Sequence, residues 1–182
     1  MDGLADVMTS RLADDRTERF SELFREFTPS VRGFVRTMVA ASDVEPVVQA
    51  TFETAWAKLE VIPLLSQRAW LFGVARNHVR NHVRAERRRT LLVDALSSLR
   101  PVEQAGICHG VDSAELAPLL AAIQQLSTQE RELVQLVAWH EMEPFEIAVV
   151  LDISANNARV RIHRARKHLE TLMQAELREG YR

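Results

Sequence analysis

The sequence predicts an all-α protein built as two small helical domains joined by a flexible linker. Three observations carry this expectation. Apolar residues recur at offsets of three and four along most of the chain, the spacing that gathers them on one face of a helix, and no segment shows the alternation of a half-buried strand. Glycine is scarce, with six residues in 182, and aromatic content is 6%, while a hydrophobic content of 47% is enough for real cores. A stretch holding Pro101, Gly106 and Gly110, where the apolar period fades, separates two helical blocks. The expected division is a disordered tail at 1–17, a first domain at 18–90, a linker at 91–112 and a second domain at 113–178.

The first block opens with a polar, acidic run to Arg16 that has no sustained period and reads as a frayed tail. Phe20, Leu23, Phe24 and Phe27 then form an apolar face. Thr28-Pro29 is expected to interrupt it, with Thr28 as a cap and Pro29 as a first helical residue. Val31, Phe34, Val35 and Met38 continue the face. Ser42 and Glu45 stand three apart as a capping box, with Pro46 in the first turn of a helix carrying Val48, Phe52, Ala55, Trp56 and Leu59. Residues 60–67, with Pro63, read as a loop. A strong helix follows to about Arg89, with Leu71, Val74, Ala75, His78 and His82 on its inner side. Arg76, Arg80, Arg84 and Arg87 make an outer stripe, with Asn77 and Asn81 beside it.

Within the linker a short helix is expected at Leu91–Leu99. The second block resumes with Leu116, Leu119, Leu120 and Ile123, and Ser127 with Glu130 forms another capping box. It closes on PFEIAVVLDISANNARVRIHRARKHL, read as a short helix, a tight turn and a basic helix running to about Leu177. Phe145, Ile147, Ala148 and Leu151 are the expected inner side of the short helix, and Ser154 is the expected cap of the next. Ala158, Ile162, Ala165 and Leu169 hold the basic helix to the core, whereas Asn156, Asn157, Arg159, Val160, His163, Arg164 and Lys167 stand away from that stripe. Four arginines, one lysine and no acid between Ala155 and His168 suit insertion into a DNA major groove.

Net charge is only −2, so the nucleic-acid signal lies in segregation: seven arginines against one acid, Glu86, from Arg68 to Arg89, with acids such as Glu141, Glu143 and Glu146 elsewhere. The single cysteine, Cys108, excludes an intramolecular disulfide and a cysteine-rich zinc site. His78 and His82 are four apart but lack a third ligand nearby, so packing or hydrogen bonding is expected rather than a metal. Trp56, Trp70 and Trp139 have core-compatible spacing. No phosphate loop, nucleophile elbow or zinc-protease pattern occurs, so neither an enzyme nor a cofactor is expected. The start lacks a signal peptide, and no apolar run approaches about 20 residues, the length needed to cross a bilayer. A cytoplasmic protein, with the nucleoid as its working place, is expected.

Taken in order, VRGFVRTMV, DVEPVVQATFETAW, AWLFGVARNHVRNHVR, LSTQERELVQLVAWHEM and the closing helix–turn–helix resemble the extracytoplasmic-function (ECF) sigma factors, over about Phe20 to Leu169. The resemblance implies sigma domain 2, a linker and sigma domain 4, in a protein that binds core RNA polymerase at its clamp helices and flap and brings it to promoter DNA. It implies a −10 face made by Trp70, Arg76, Asn77, Arg80 and Arg84, with Asn77 matching a residue that lines a pocket for a flipped base. It places −35 contacts at Arg159, Val160, His163 and Arg164, and polymerase contacts at Asp43, Glu45, Val48, Gln49 and Phe52. An anti-sigma factor is the further partner it implies.

Two positions depart from the family pattern. Where D-A-E-D-L-V-Q-E-T-F is common, this chain has Pro46 and Ala50 in place of two acids, which should weaken electrostatic steering toward polymerase. Asp152 stands in the turn where glycine is common, a conformation aspartate tolerates better than most residues. Pro46 and Ala50 keep open a sigma-derived regulator that no longer engages polymerase in the usual way. A plain helix–turn–helix regulator with an interaction domain in front is the third reading, and it predicts binding of closed duplex DNA without polymerase.

Overall fold

The computed structural model describes residues 2–94 and 117–179, with side chains at 14–89 and 117–178. Among the described residues there are α-helices and short 3₁₀ turns and no strand. The chain divides into two compact units, Met1–Ala105 and Gly106–Arg182, so the all-α, two-domain expectation holds. The first four residues of the expected linker belong to a long helix, and the rest, with Cys108 and most of the Leu91–Leu99 segment, lies outside the described residues. No helix of the described residues is long and apolar enough to cross a membrane.

Unit 1 is made of α1 (Asp2–Arg36), α2 (Val44–Ala57) and α3 (Gln67–Asp94), with α2 packed against both neighbours. The 60–67 stretch holds two 3₁₀ turns, Leu59–Val61 and Leu64–Ser66. Two expectations fail in α1. The segment read as a frayed tail is helical from Asp2, and Thr28-Pro29 does not interrupt the helix. Pro29 removes the N–H that would bond the Arg25 carbonyl, a defect that costs about 3 kcal/mol in an isolated helix. Tertiary packing overrides it: Leu23 before the proline and Val31, Phe34 and Val35 after it are all buried, and only a continuous helix keeps them on one face. Thr28 is no cap; its hydroxyl donates back to the Phe24 carbonyl, and that of Ser30 to Phe27 at 3.0 Å. The early turns are held by polar anchors that an apolar period does not register. The Arg16 guanidinium donates to the Trp56 carbonyl at 2.8 Å and lies 4.8 Å from its ring centre, and Arg19 donates to the Ile62 carbonyl at 3.2 Å.

The core of unit 1 centres on Phe34 and Phe72, both fully buried with ring centres 4.7 Å apart. Val48 and Phe52, which the resemblance assigns to polymerase, are buried within unit 1, at 4% and 3% exposure. The Ser42–Glu45 capping box does not form either. Glu45 turns instead to Arg32, which gives it two charge-assisted bonds in place of one backbone N–H.

Unit 2 is made of α4 (Ala117–Gln125), α5 (Thr128–Ala138), α6 (Pro144–Leu151) and α7 (Ala155–Glu179), with α7 packed on the other three. The capping box at Ser127 and Glu130 is present. Arg131 closes the end of α4 by donating to the carbonyls of Ile123, Gln124 and Leu126 at 3.2, 2.8 and 3.2 Å, where a cation also suits the helix dipole. α6 buries Ile147, Ala148 and Val150, while Phe145 is 55% exposed rather than inside. Its sequence is apolar on nearly every side, so period alone does not choose the inner face.

Glu130 also accepts from His168 of α7, Nδ1 to Oε1 at 2.8 Å, which ties α7 to the start of α5. The Ser127 hydroxyl first, and His168 second, hold the Glu130 carboxyl below the ordinary carboxylate range. A depressed folded value means stability that is present above about pH 4.3, the ordinary glutamate value, and is lost as pH falls through the lowered one. Unit 2 should therefore lose part of its stability in acid. Glu130→Gln should remove that part and make thermal melting less sensitive to pH below 5, read by circular dichroism across a pH series.

Candidate nucleic-acid interface

The turn between α6 and α7 fixes the approach of the basic helix. Asp152 adopts φ 54°, ψ 53°, the left-handed conformation that ends α6, so aspartate takes the place of the usual glycine. Two residues later the Ser154 hydroxyl accepts the Asn157 N–H at 3.2 Å and caps α7. Ala158, Ile162 and Ala165 are buried and Leu169 is half-buried, which sets the rotation of the helix. That rotation leaves Asn156, Asn157, Arg159, Val160, His163, Arg164 and Lys167 exposed. Among the described residues no acid lies within ion-pair distance of Arg159, Arg164 or Lys167. Asn157 is engaged on its own helix, where its side-chain oxygen accepts from Arg161 at 2.9 Å.

In unit 1, α3 turns Ala69, Leu71, Phe72, Ala75 and Val79 inward. Asn77, Arg80, Asn81 and Arg84 are exposed and, at offsets of three, four and seven, share one face. Asn81 joins this face, although the resemblance did not single it out. Arg76 and Trp70 are only half-exposed, and Arg76 makes contacts within the protein. The two histidines hydrogen-bond or pair on the inner side. Thr54 spends its one hydroxyl proton on the Ala50 carbonyl at 2.9 Å, so His78 Nε2, also 2.9 Å away, must be the donor to Thr54 Oγ1. Burial holds the His78 pKa below the usual imidazole value, which keeps it neutral near pH 7. His82 Nε2 lies 3.1 Å from Asp43 Oδ2, within ion-pair reach but off hydrogen-bond direction. At the end of the basic run, Arg89 pairs with Glu86 at 2.6 Å, and Arg88 donates to the Arg84 carbonyl at 3.3 Å. Of the three tryptophans, Trp56 and Trp139 are 40% and 50% exposed, so core-compatible spacing did not make them core residues.

Each unit thus presents one helix with a clean inner stripe and an outer array of cations and amides. Residues 23–89 match the family model for Sigma-70 region 2, and residues 116–169 that for Sigma-70, region 4. The RNA polymerase sigma factor CnrH of Cupriavidus metallidurans is 30% identical over 181 residues, covering 93% of this chain and 94% of that one. The ECF RNA polymerase sigma factor SigL of Mycobacterium tuberculosis is 32% identical over 137 residues, 74% of this chain and 76% of that one. The chain belongs to the ECF sigma factors. The solved structure of CnrH in complex with the cytosolic domain of CnrY matches this sigma factor with a TM-score of 0.60 and 28% identity, over 93% and 96% of the two chains. The sigma factor RpoE of Bartonella quintana, solved with the anti-sigma factor NepR, shares the fold with a TM-score of 0.67 at 24% identity, over 85% and 96%. The sigma factor is a transcription initiation factor that directs promoter-specific transcription. Its α2 and most of α3, as far as Arg89, fall within the region 2 match, and α6 with α7 as far as Leu169 falls within the region 4 match.

Proposed function

We propose that the sigma factor divides promoter recognition between these two helices while docked on core RNA polymerase. The observation that carries this reading is the pair of exposed, largely unpaired basic arrays, one in each sigma region. On α7, Arg159 and Arg164 read base edges of the −35 element, with His163 and Val160 beside them. Asn156, Asn157 and Lys167 hold the backbone. On α3, Arg80 and Arg84 hold the −10 backbone, and Asn77 captures an unstacked base. Arg76 and Trp70 act mainly from within the domain, in keeping with their partial burial. Docking uses Asp43, Glu45 and Gln49 without Val48 and Phe52, and polymerase supplies the catalysis. With Pro46 and Ala50 uncharged, this dock is weaker than is usual for the family. The CnrH complex with the cytosolic domain of CnrY supports a protein partner for this sigma factor too, and an anti-sigma factor is the partner proposed.

Transcription in vitro with reconstituted holoenzyme tests the reading. Specific initiation is expected with core polymerase and none without it. Asn77→Ala should leave closed-complex formation within about two-fold of the parent while slowing promoter opening about ten-fold, a loss of one good base contact. Permanganate footprinting reads the opening. No measurable complex with core polymerase, or an Asn77→Ala defect confined to recruitment, would refute it.

A further inference from the structure

The polar groups left on the docking segment are already engaged inside unit 1. Both oxygens of Glu45 are taken by one guanidinium: Arg32 of α1 donates from Nε to Oε1 at 2.7 Å and from Nη2 to Oε2 at 3.1 Å. Asp43 has His82 of α3 at 3.1 Å, and the Gln49 side-chain amide donates to Glu53 at 2.8 Å. The segment therefore reaches polymerase with the Glu45 carboxylate opposed by a fixed cation of the protein and Asp43 beside an imidazole, and positions 46 and 50 add no charge. The two oppositions differ in kind. A guanidinium stays protonated at every pH the protein meets, and its planar fork matches a carboxylate. An imidazole pairs only when it is protonated. Arg32 is thus the constant brake on the charge of this face. Arg32 and Glu45 stand 13 residues apart on different helices, so neither local sequence nor helical period announces the pair.

We infer that Arg32 sets the affinity for core polymerase by competing with a basic surface of the enzyme for the Glu45 carboxylate. The inference rests on the docking role proposed for this segment. An intermolecular ion pair at Glu45 forms only as the intramolecular one breaks, so the gain from docking is the difference between two exposed pairs. Such a difference is small, and it is largest in the encounter step, where the uncompensated charge of the face steers association. Without Arg32, Glu45 adds its charge to that of Glu53, which has no ion-pair partner among the described residues.

The test is a four-protein cycle on the full chain: the parent, Arg32→Gln, Glu45→Gln and the double variant. Binding to core polymerase is followed in real time at low and high salt. Arg32→Gln should bind about two- to five-fold tighter, mainly through faster association, and the gain should shrink as salt rises. In the Glu45→Gln background the same change should do almost nothing. Arg32→Lys, which keeps the charge and loses the fork, should fall between parent and Arg32→Gln. Melting temperatures of all variants separate a change in docking from a change in folding. An Arg32→Gln protein that binds no tighter than the parent overturns the inference, as does an equal gain without Glu45. Weaker binding that depends on Glu45 also overturns it, and makes Arg32 a residue that positions the carboxylate. If Glu45→Gln and Asp43→Asn both bind like the parent, the docking assignment has failed, and the competition falls with it.

Discussion

Phe72→Ala is expected to destabilise unit 1 by about 3–5 kcal/mol, the usual cost of removing a fully buried phenylalanine. That is a large share of the total for a domain, about 5–15 kcal/mol. Phe72 has no exposed surface, and its ring meets that of Phe34 across the contact between α3 and α1. The lost surface is apolar on all sides, so no water replaces the ring, and neighbours can close the gap only by shifting α3 as a body. The functional loss follows from the packing. Asn77, Arg80 and Arg84 sit on the opposite side of the same helix, so a loosened α3 displaces all of them together. Initiation at a target promoter should fall well beyond the Asn77→Ala effect, with failure at opening. Unit 2 has its own core and should melt as in the parent. The tryptophans separate the two events, because Trp56 and Trp70 lie in unit 1 and Trp139 in unit 2. A Phe72→Ala protein with unchanged hydrogen-exchange protection along α3 would contradict this account of the core.

Arg159→Ala and Arg164→Ala should each weaken −35 recognition by about 1–3 kcal/mol where the guanidinium reads a base, roughly five- to 150-fold in promoter binding by holoenzyme. Both side chains are exposed and neither supports the core, so the melting of unit 2 should not move. The signature of each change identifies its role. An arginine that reads a base loses discrimination at one promoter position. One that holds phosphate weakens all sequences alike and lowers the salt slope by about one. Competition among promoters with single substitutions in the −35 element, repeated at two salt concentrations, makes the distinction. If both variants transcribe from every promoter like the parent, α7 does not read the groove through these residues.

Much of this is legible in the amino-acid sequence. The recognition helix is a favourable case: its inner stripe is Ala, Ile, Ala and Leu, its outer face is almost wholly polar, and the contrast leaves one possible rotation. The turn was legible for a similar reason, because Asp152 tolerates a left-handed backbone and Ser154 satisfies a helix start through a bond three residues long. The same reasoning misled where contrast was missing or partners were distant. In α6 nearly every residue is apolar, so the period predicts Phe145 inside although it faces out. In α2, Val48 and Phe52 sit in a segment that the family resemblance assigns to docking, and a helix wedged between two others turns those positions to the core.

The sequence by itself determined the helical class, the order of the elements, the two caps at Ser127 and Ser154, and the outer faces of the two basic helices. All of these depend on contacts within about four residues, where spacing and chemistry are visible together. Only the tertiary structure decided that α1 runs through Pro29, that Arg16 anchors it at Trp56, and that Glu45 leaves its expected cap for Arg32. Each of those choices joins residues 13 to 40 positions apart or sets a local cost against a shared core. The energies involved are set by what the folded chain brings together, and a local pattern holds no record of them.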